Sequence, residues 1–238
     1  MAIDFSEYEL VCRRADEVPD TLRKQLAPFV LERFGGPTEE LFSEVAARLP
    51  QTMAALKSYY AAPVLCAKRG MRNWVPSFAL EGREHNVFGD PRLPTFYTLY
   101  DFEADLAFLP QAATALYYVT DALQMTQKSY PEFAWPDMPP NQSGRNDIGE
   151  YCRLRSFPRK AAAPLIKALA SPHIDVWVYG SQGDALCTVV TSSTRQLYHV
   201  KDDRFADFFE IPDPDAFIDR YCAYVLAGND VGAFDFRA

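Results

Sequence analysis

The chain has little of what enzymes usually recruit for chemistry. It holds three histidines in 238 residues, His85, His173 and His199, far apart in sequence. Nothing in their spacing asks for a metal site. Its five cysteines, Cys12, Cys66, Cys152, Cys187 and Cys222, are odd in number and form no CxxC pair. They read as reduced, largely buried thiols of a reducing compartment, and a nucleophilic cysteine would need a histidine brought close by the fold. There is no GxxxxGK[ST] and no GxGxxG after a strand, so no linear phosphate-binding loop. HExxH, HxE…PCxxC and GxSxG are missing too, which removes the common zinc hydrolase, deaminase and nucleophile-elbow signatures. No apolar run reaches the roughly 18 residues that a membrane helix needs. The opening MAIDFSEYEL lacks a basic stretch followed by an apolar one, so no secretory signal is expected and the cytoplasm is the expected location.

Positive charge is also scarce. Twenty-four Lys and Arg face 32 Asp and Glu, a net charge of −8 with pI near 5.0. This argues against direct nucleic-acid binding, which wants a basic footprint. It fits a binder of a basic partner, and it fits simple solubility. No cofactor is implied.

What the chain does have is hydrophobic content of 48% and aromatic content of 14%, enough for a bulky core. Apolar residues recur at helical spacing after Pro19 (Leu22, Leu26, Phe29, Val30, Phe34), broken at Pro28 and ended at Gly35-Gly36. A second helix is expected after Pro37-Thr38 and a third over Thr52–Tyr60. Ala62–Ala67, Val75–Leu80 and Thr95–Tyr100 read as strands. Helices are expected from Glu103 to Leu109 and from Gln111 to about Thr126, the latter on the stripe Leu116, Val119, Leu123. Ser129–Asn146, with four prolines and with Phe133 and Trp135, reads as an ordered loop that lies across the core or contributes to a binding face. Cys152–Phe157 alternates like a half-exposed strand, and a short helix is expected from Pro164.

The last quarter is the most legible. Ile174–Tyr179, Leu186–Thr191 and Leu197–Val200 make a three-stranded meander with polar turns between. An acidic turn follows. Asp213 is then a natural N-cap and Pro214 a natural first residue of a helix ended by Gly228. Its stripe, Phe217, Ile218, Tyr221, Cys222, Val225 and Leu226, is expected to lie on the meander. The fold class expected is α+β: an antiparallel meander sheet packed against helices, with a helical N-terminal subdomain. The division expected is 1–130, a proline-rich loop at 131–150, and 151–238, or one continuous domain.

From Gly183-Asp184 through Leu186–Thr191, Leu197-Tyr198-His199, Asp202-Asp203 and Phe217, the order of features resembles the SUKH (SMI1/KNR4) superfamily. The match covers about a fifth to a quarter of the chain. The family's Asn-Gly-Gly feature is missing here, and Leu109-Pro110 is the nearest match to its early Leu-Pro. The resemblance implies binding rather than catalysis, since many bacterial members are immunity proteins that neutralise a cognate toxin. Residues 201–238 hold nine acids against four bases, a balance of −5. A carboxylate-rich face suits a basic partner such as a nuclease toxin. The expected partner-binding residues are Asp184, Asp202, Asp203, Asp207, Phe133 and Trp135. Two alternatives stand beside this. One is a hydrolase-like enzyme with a site near residues 129–146, using Arg145, Asp147 and Glu150 with His85 or His199. The other is a scaffold or regulatory protein that uses exposed aromatics.

Overall fold

A computed structural model describes residues 2–26, 28–70, 74–89, 111–116, 123–126, 131–135, 146–149, 152, 158–170, 174–179, 186–191, 196–201, 204–230 and 233–237. The fold is α+β, with several helices near the N-terminus and two antiparallel sheets whose strands follow chain order. The expected strand Thr95–Tyr100 and helix Glu103–Leu109 lie outside the described residues.

Helices α1 (Asp20–Arg23), α2 (Pro28–Arg33), α3 (Thr38–Leu41), α4 (Ser43–Arg48) and α5 (Pro50–Tyr59) are cut to length by proline. Pro19, Pro37 and Pro50 stand at helix starts, where a missing N–H costs nothing. Gly35, with φ +90°, turns the chain after α2.

The first sheet runs β1 (Leu10–Cys12), β2 (Val64–Arg69), β3 (Trp74–Leu80), β4 (Val87–Gly89), β5 (Leu123–Thr126), β6 (Pro131–Trp135). Two expectations fail here. The helix expected from Gln111 to about Thr126 is described as α6 over Gln111–Leu116, and Leu123–Thr126, expected at its end, is a strand. Pro131–Trp135, expected as loop, pairs with it, Leu123 opposite Trp135 and Thr126 opposite Pro131. Pro131 is tolerated because it opens a strand at the sheet's edge, where its missing N–H need not serve the ladder. Helical spacing of Leu116, Val119 and Leu123 was a weaker determinant than cross-strand pairing.

The second sheet runs β7 (Asn146–Asp147), β8 (Ile174–Tyr179), β9 (Leu186–Thr191), β10 (Leu197–Lys201), β11 (Arg204–Ile211). The expected meander is therefore present with a fourth strand added. The segment read as an acidic turn is β11, whose Phe205 and Ile211 are buried. Its acids obscured an aromatic-rich strand. A register shift at Val200/Lys201 marks a bulge, with Phe208 opposite Val200 but Arg204 opposite Lys201. Cys152, expected in a strand, has helical backbone, as do Ile148 and Gly149. Ile148 and Cys152 are both buried in the smaller of the two cores.

Helix α7 (Ala163–Leu169) covers one face of the second sheet, where Leu165, Val200 and Phe205 form a small core with Ile148 and Cys152. Helix α8 (Pro214–Leu226) starts as expected: Asp213 Oδ1 accepts the N–H of Ala216 at 3.0 Å and Pro214 follows. Its stripe does not rest chiefly on the meander. It packs first on α5, then on α6 and β6, and meets the second sheet through Leu197, Phe209 and Ile211. The main core thus joins Leu22, Leu56 and Phe78 of the early chain to Tyr221 and Leu226 of the late chain. Among the described residues, no helix is long and apolar enough to cross a membrane.

Candidate functional site

The acids of α8 serve the interior. The Asp219 side chain is 4% exposed. Its Oδ2 accepts the N–H of Gln51 at 3.0 Å, and its Oδ1 accepts both the N–H and the hydroxyl of Thr52 at 2.8 Å. Gln51 and Thr52 are in the first turn of α5, whose N-cap position is held by Leu49, a residue with no side-chain acceptor. Asp219 supplies the missing cap from another helix. One turn earlier, Asp215 Oδ1 accepts the N–H of Ala112 at 2.9 Å, in the first turn of α6. Spacing of i, i+4 puts both carboxylates on one side of α8, so a single helix caps itself and two others.

Of the residues expected to bind a partner, Asp184, Asp202 and Asp203 lie outside the described residues. Asp207 is exposed on β11, the last strand of the second sheet, within the bulged part of the pairing, and Glu210 is exposed three residues on. Phe133 and Trp135 are on β6, the last strand of the first sheet, opposite Gln124 and Leu123. Glu210 Oε1 accepts from Gln196 Nε2 at 3.2 Å, and Gln196 Oε1 accepts the Tyr198 hydroxyl at 3.1 Å, a short chain on the surface. Arg145 and Glu150, named for an enzyme site, lie outside the described residues, and Asp147 is in β7.

The thiols are poorly placed for nucleophilic work. Burial pushes the Cys66 thiol up to about 11, and its Sγ donates to the Ser77 carbonyl at 3.4 Å. Burial and then the nearby Glu17 carboxylate raise Cys12, and burial with the Asp219 carboxylate raises Cys222 well above the usual thiol range. All three remain protonated near neutral pH, and the thiolate is the reactive form. His199, 4% exposed, stacks between Phe209 and Phe236 at centroid distances of 4.9 and 4.3 Å. Phe234 and Phe236 also pack on Phe217 and Tyr221. This late aromatic cluster escaped sequence reading because residues 229–238 have no periodicity. Among the described residues, no group of three or more His, Cys, Asp or Glu is placed to hold a metal.

A small pocket of about 120 Å³ lies where the end of α5, the β3–β4 turn and the end of α8 meet. Tyr59 and Tyr60, Arg83 to His85, and Leu226 with Ala227 line it. Its frame is tightly bonded. The N–H of Ala61 donates to Glu81 O at 2.8 Å, and that of Arg83 to Tyr59 O at 3.2 Å. The buried Tyr60 hydroxyl donates to Leu226 O at 2.8 Å, and burial raises its pKa. Gly82 lies against the Tyr60 ring, where an added Cβ would come within 2.8 Å of it. Gly228, φ +82°, has the His85 imidazole where a Cβ would stand. Both glycines are needed for this approach. Nothing in the sequence connected His85 to Gly228. Neither a family model, nor a curated protein, nor a solved structure matches this chain.

Proposed function

We propose that the protein is a non-catalytic binding protein that neutralises a basic partner, in the manner of immunity proteins that block a cognate toxin. The observation that carries this reading is the pair of exposed carboxylates, Asp207 and Glu210, on the terminal strand of the second sheet. Unlike Asp213, Asp215 and Asp219, which accept backbone N–H groups at helix starts, Asp207 and Glu210 face solvent. With a net charge of −8, such an edge steers a basic surface toward it and speeds association. Order of features from Gly183-Asp184 to Phe217 supports the same reading by resemblance. The test is a search for a toxin gene beside this one and a binding measurement with its product. The double charge reversal Asp207→Lys, Glu210→Lys should slow association by about tenfold at low salt, with the gap closing at high salt. Absence of binding to that toxin would sink the reading, and unchanged association would remove β11 from it.

A second reading, a hydrolase-like enzyme, has one observation in its favour: His85 and Glu84 line the same pocket. Its volume of about 120 Å³ is small against the roughly 300–1,000 Å³ of small-molecule sites, which puts this reading second.

A further inference from the structure

The pocket between α5, the β3–β4 turn and α8 has a shape and a chemistry that suit one guest. We propose that it is a socket for a single arginine side chain presented by a protein partner, an inference that rests on the reading of a basic partner given above.

Size comes first. About 120 Å³ holds one long side chain and not a small-molecule substrate. Preorganisation comes second. Three separate elements are locked around the space by the bonds Ala61 to Glu81, Arg83 to Tyr59 and Tyr60 to Leu226. Two glycines are held so close to the Tyr60 and His85 rings that no side chain fits there. A guest therefore meets a wall already in place, and little ordering cost is left to offset the contacts it makes.

Chemistry comes third. Tyr59 is 40% exposed, one of three large hydrophobic side chains so exposed among the described residues, and it stands at the rim. Tyr60 lines the pocket more deeply. A planar guanidinium stacks on tyrosine faces and, unlike an ammonium, is weakly hydrated. Glu84 lines the pocket with a carboxylate beside the Arg83 guanidinium, and the exposed Glu81 belongs to the same turn. The C-terminal end of α8 forms another wall through Leu226 and Ala227. That end carries a partial negative charge of roughly half an electron, which favours a cation. Tyrosine and arginine are also the residue types that dominate interface hot spots.

The test has two arms. In the first, isotope-labelled protein is titrated with N-acetyl-arginine amide and, separately, with N-acetyl-norleucine amide. Saturable shifts at Tyr59, Glu84 and His85 are expected for the arginine compound alone, and Tyr59→Ala and Glu84→Gln should each weaken them by about tenfold. Both side chains are exposed, so both variants should keep the parent melting temperature. Equal response to norleucine, or no loss in either variant, overturns the socket. Tighter binding of unblocked arginine than of the blocked form also overturns it, in favour of a small-molecule site. In the second arm, the same variants are measured against a toxin found by the gene search. A loss of about tenfold or more in affinity is expected. A toxin that binds both variants like the parent overturns the socket and leaves neutralisation standing. If no toxin binds, neutralisation fails and the titration alone decides the socket.

Discussion

At Asp219 a carboxylate that is 4% exposed serves the N–H of Gln51 and both the N–H and hydroxyl of Thr52. Its removal would leave the buried Thr52 N–H and the part-buried Gln51 N–H of α5 without that acceptor, while the Thr52 hydroxyl still reaches the Asp219 carbonyl at 3.1 Å. An ordinary N-cap is worth about 1 kcal/mol, and each buried donor left unsatisfied adds a further cost, so Asp219→Ala should destabilise by about 3 kcal/mol. Asp219→Asn keeps one acceptor oxygen but turns an amide N–H toward a backbone N–H, and should lie about midway between the parent and Asp219→Ala. Asp213→Ala, which removes an exposed cap, should cost only about 1 kcal/mol. Urea denaturation of the three variants checks the order. Equal losses at Asp213 and Asp219 would mean that the longer-range cap contributes nothing beyond an ordinary one.

Among the elements, β11 shows where sequence reading stops. The strands β2, β3, β8, β9 and β10 were legible because each is a short β-branched or aromatic run bounded by turn residues. Helix α8 was legible because Asp213-Pro214 and Gly228 mark its ends and a six-residue stripe fills its interior. In β11 the acids Asp207 and Glu210 interrupt Phe205, Phe208, Phe209 and Ile211, so the sequence pattern alone resembles an acidic turn. β5 and β6 were missed because their pairing is a tertiary event that helix spacing and proline count do not report. The two long-range caps were beyond reach for a similar reason: Asp215 and Ala112 are 103 residues apart, Asp219 and Thr52 167. Of the candidate site, the acids of residues 201–238 were visible, but not that α8 had taken up three of them. The pocket at His85 was invisible because its walls come from three distant segments. A strand at β11 has a measurable consequence. Phe205, 2% exposed, fills the small core beneath α7, so Phe205→Ala should cost about 3 kcal/mol or more. The half-buried Phe208 should cost less when cut to alanine. A loss under about 1 kcal/mol at Phe205 would fit the turn and not the strand.

For the whole molecule, the two sides of neutral pH should differ. Burial moves the titration of several weak acids to higher pH: Cys66 rises to about 11 and Tyr8 to about 12, while Cys12, Cys222 and Tyr60 are also raised. A raised folded pKa means that the unfolded chain gives up its proton first. The stabilisation is therefore complete below the unfolded values, 9.0 for cysteine and 10.0 for tyrosine, and is lost as pH climbs toward the folded ones. Cys12, Tyr60 and Cys222 belong to the core shared by both ends of the chain, so part of the loss falls there. Added negative charge on a chain already at −8 acts in the same direction. On the acid side, Asp4, Glu17 and Glu39 have lowered values from hydrogen bonds, Glu17 chiefly from the N–H of Arg13 and Glu39 from Lys57. Those carboxylates lie at the surface, where such bonds contribute little. Thermal melts should thus be nearly flat from about pH 6 to 8 and fall steeply above about pH 9. Cys66→Ala removes one of the raised acids and should flatten the fall between the unfolded value of 9.0 and about 11 while lowering the plateau. Melts that coincide at about pH 7.5 and about pH 10.5 would mean that these buried acids titrate alike in the folded and unfolded chain.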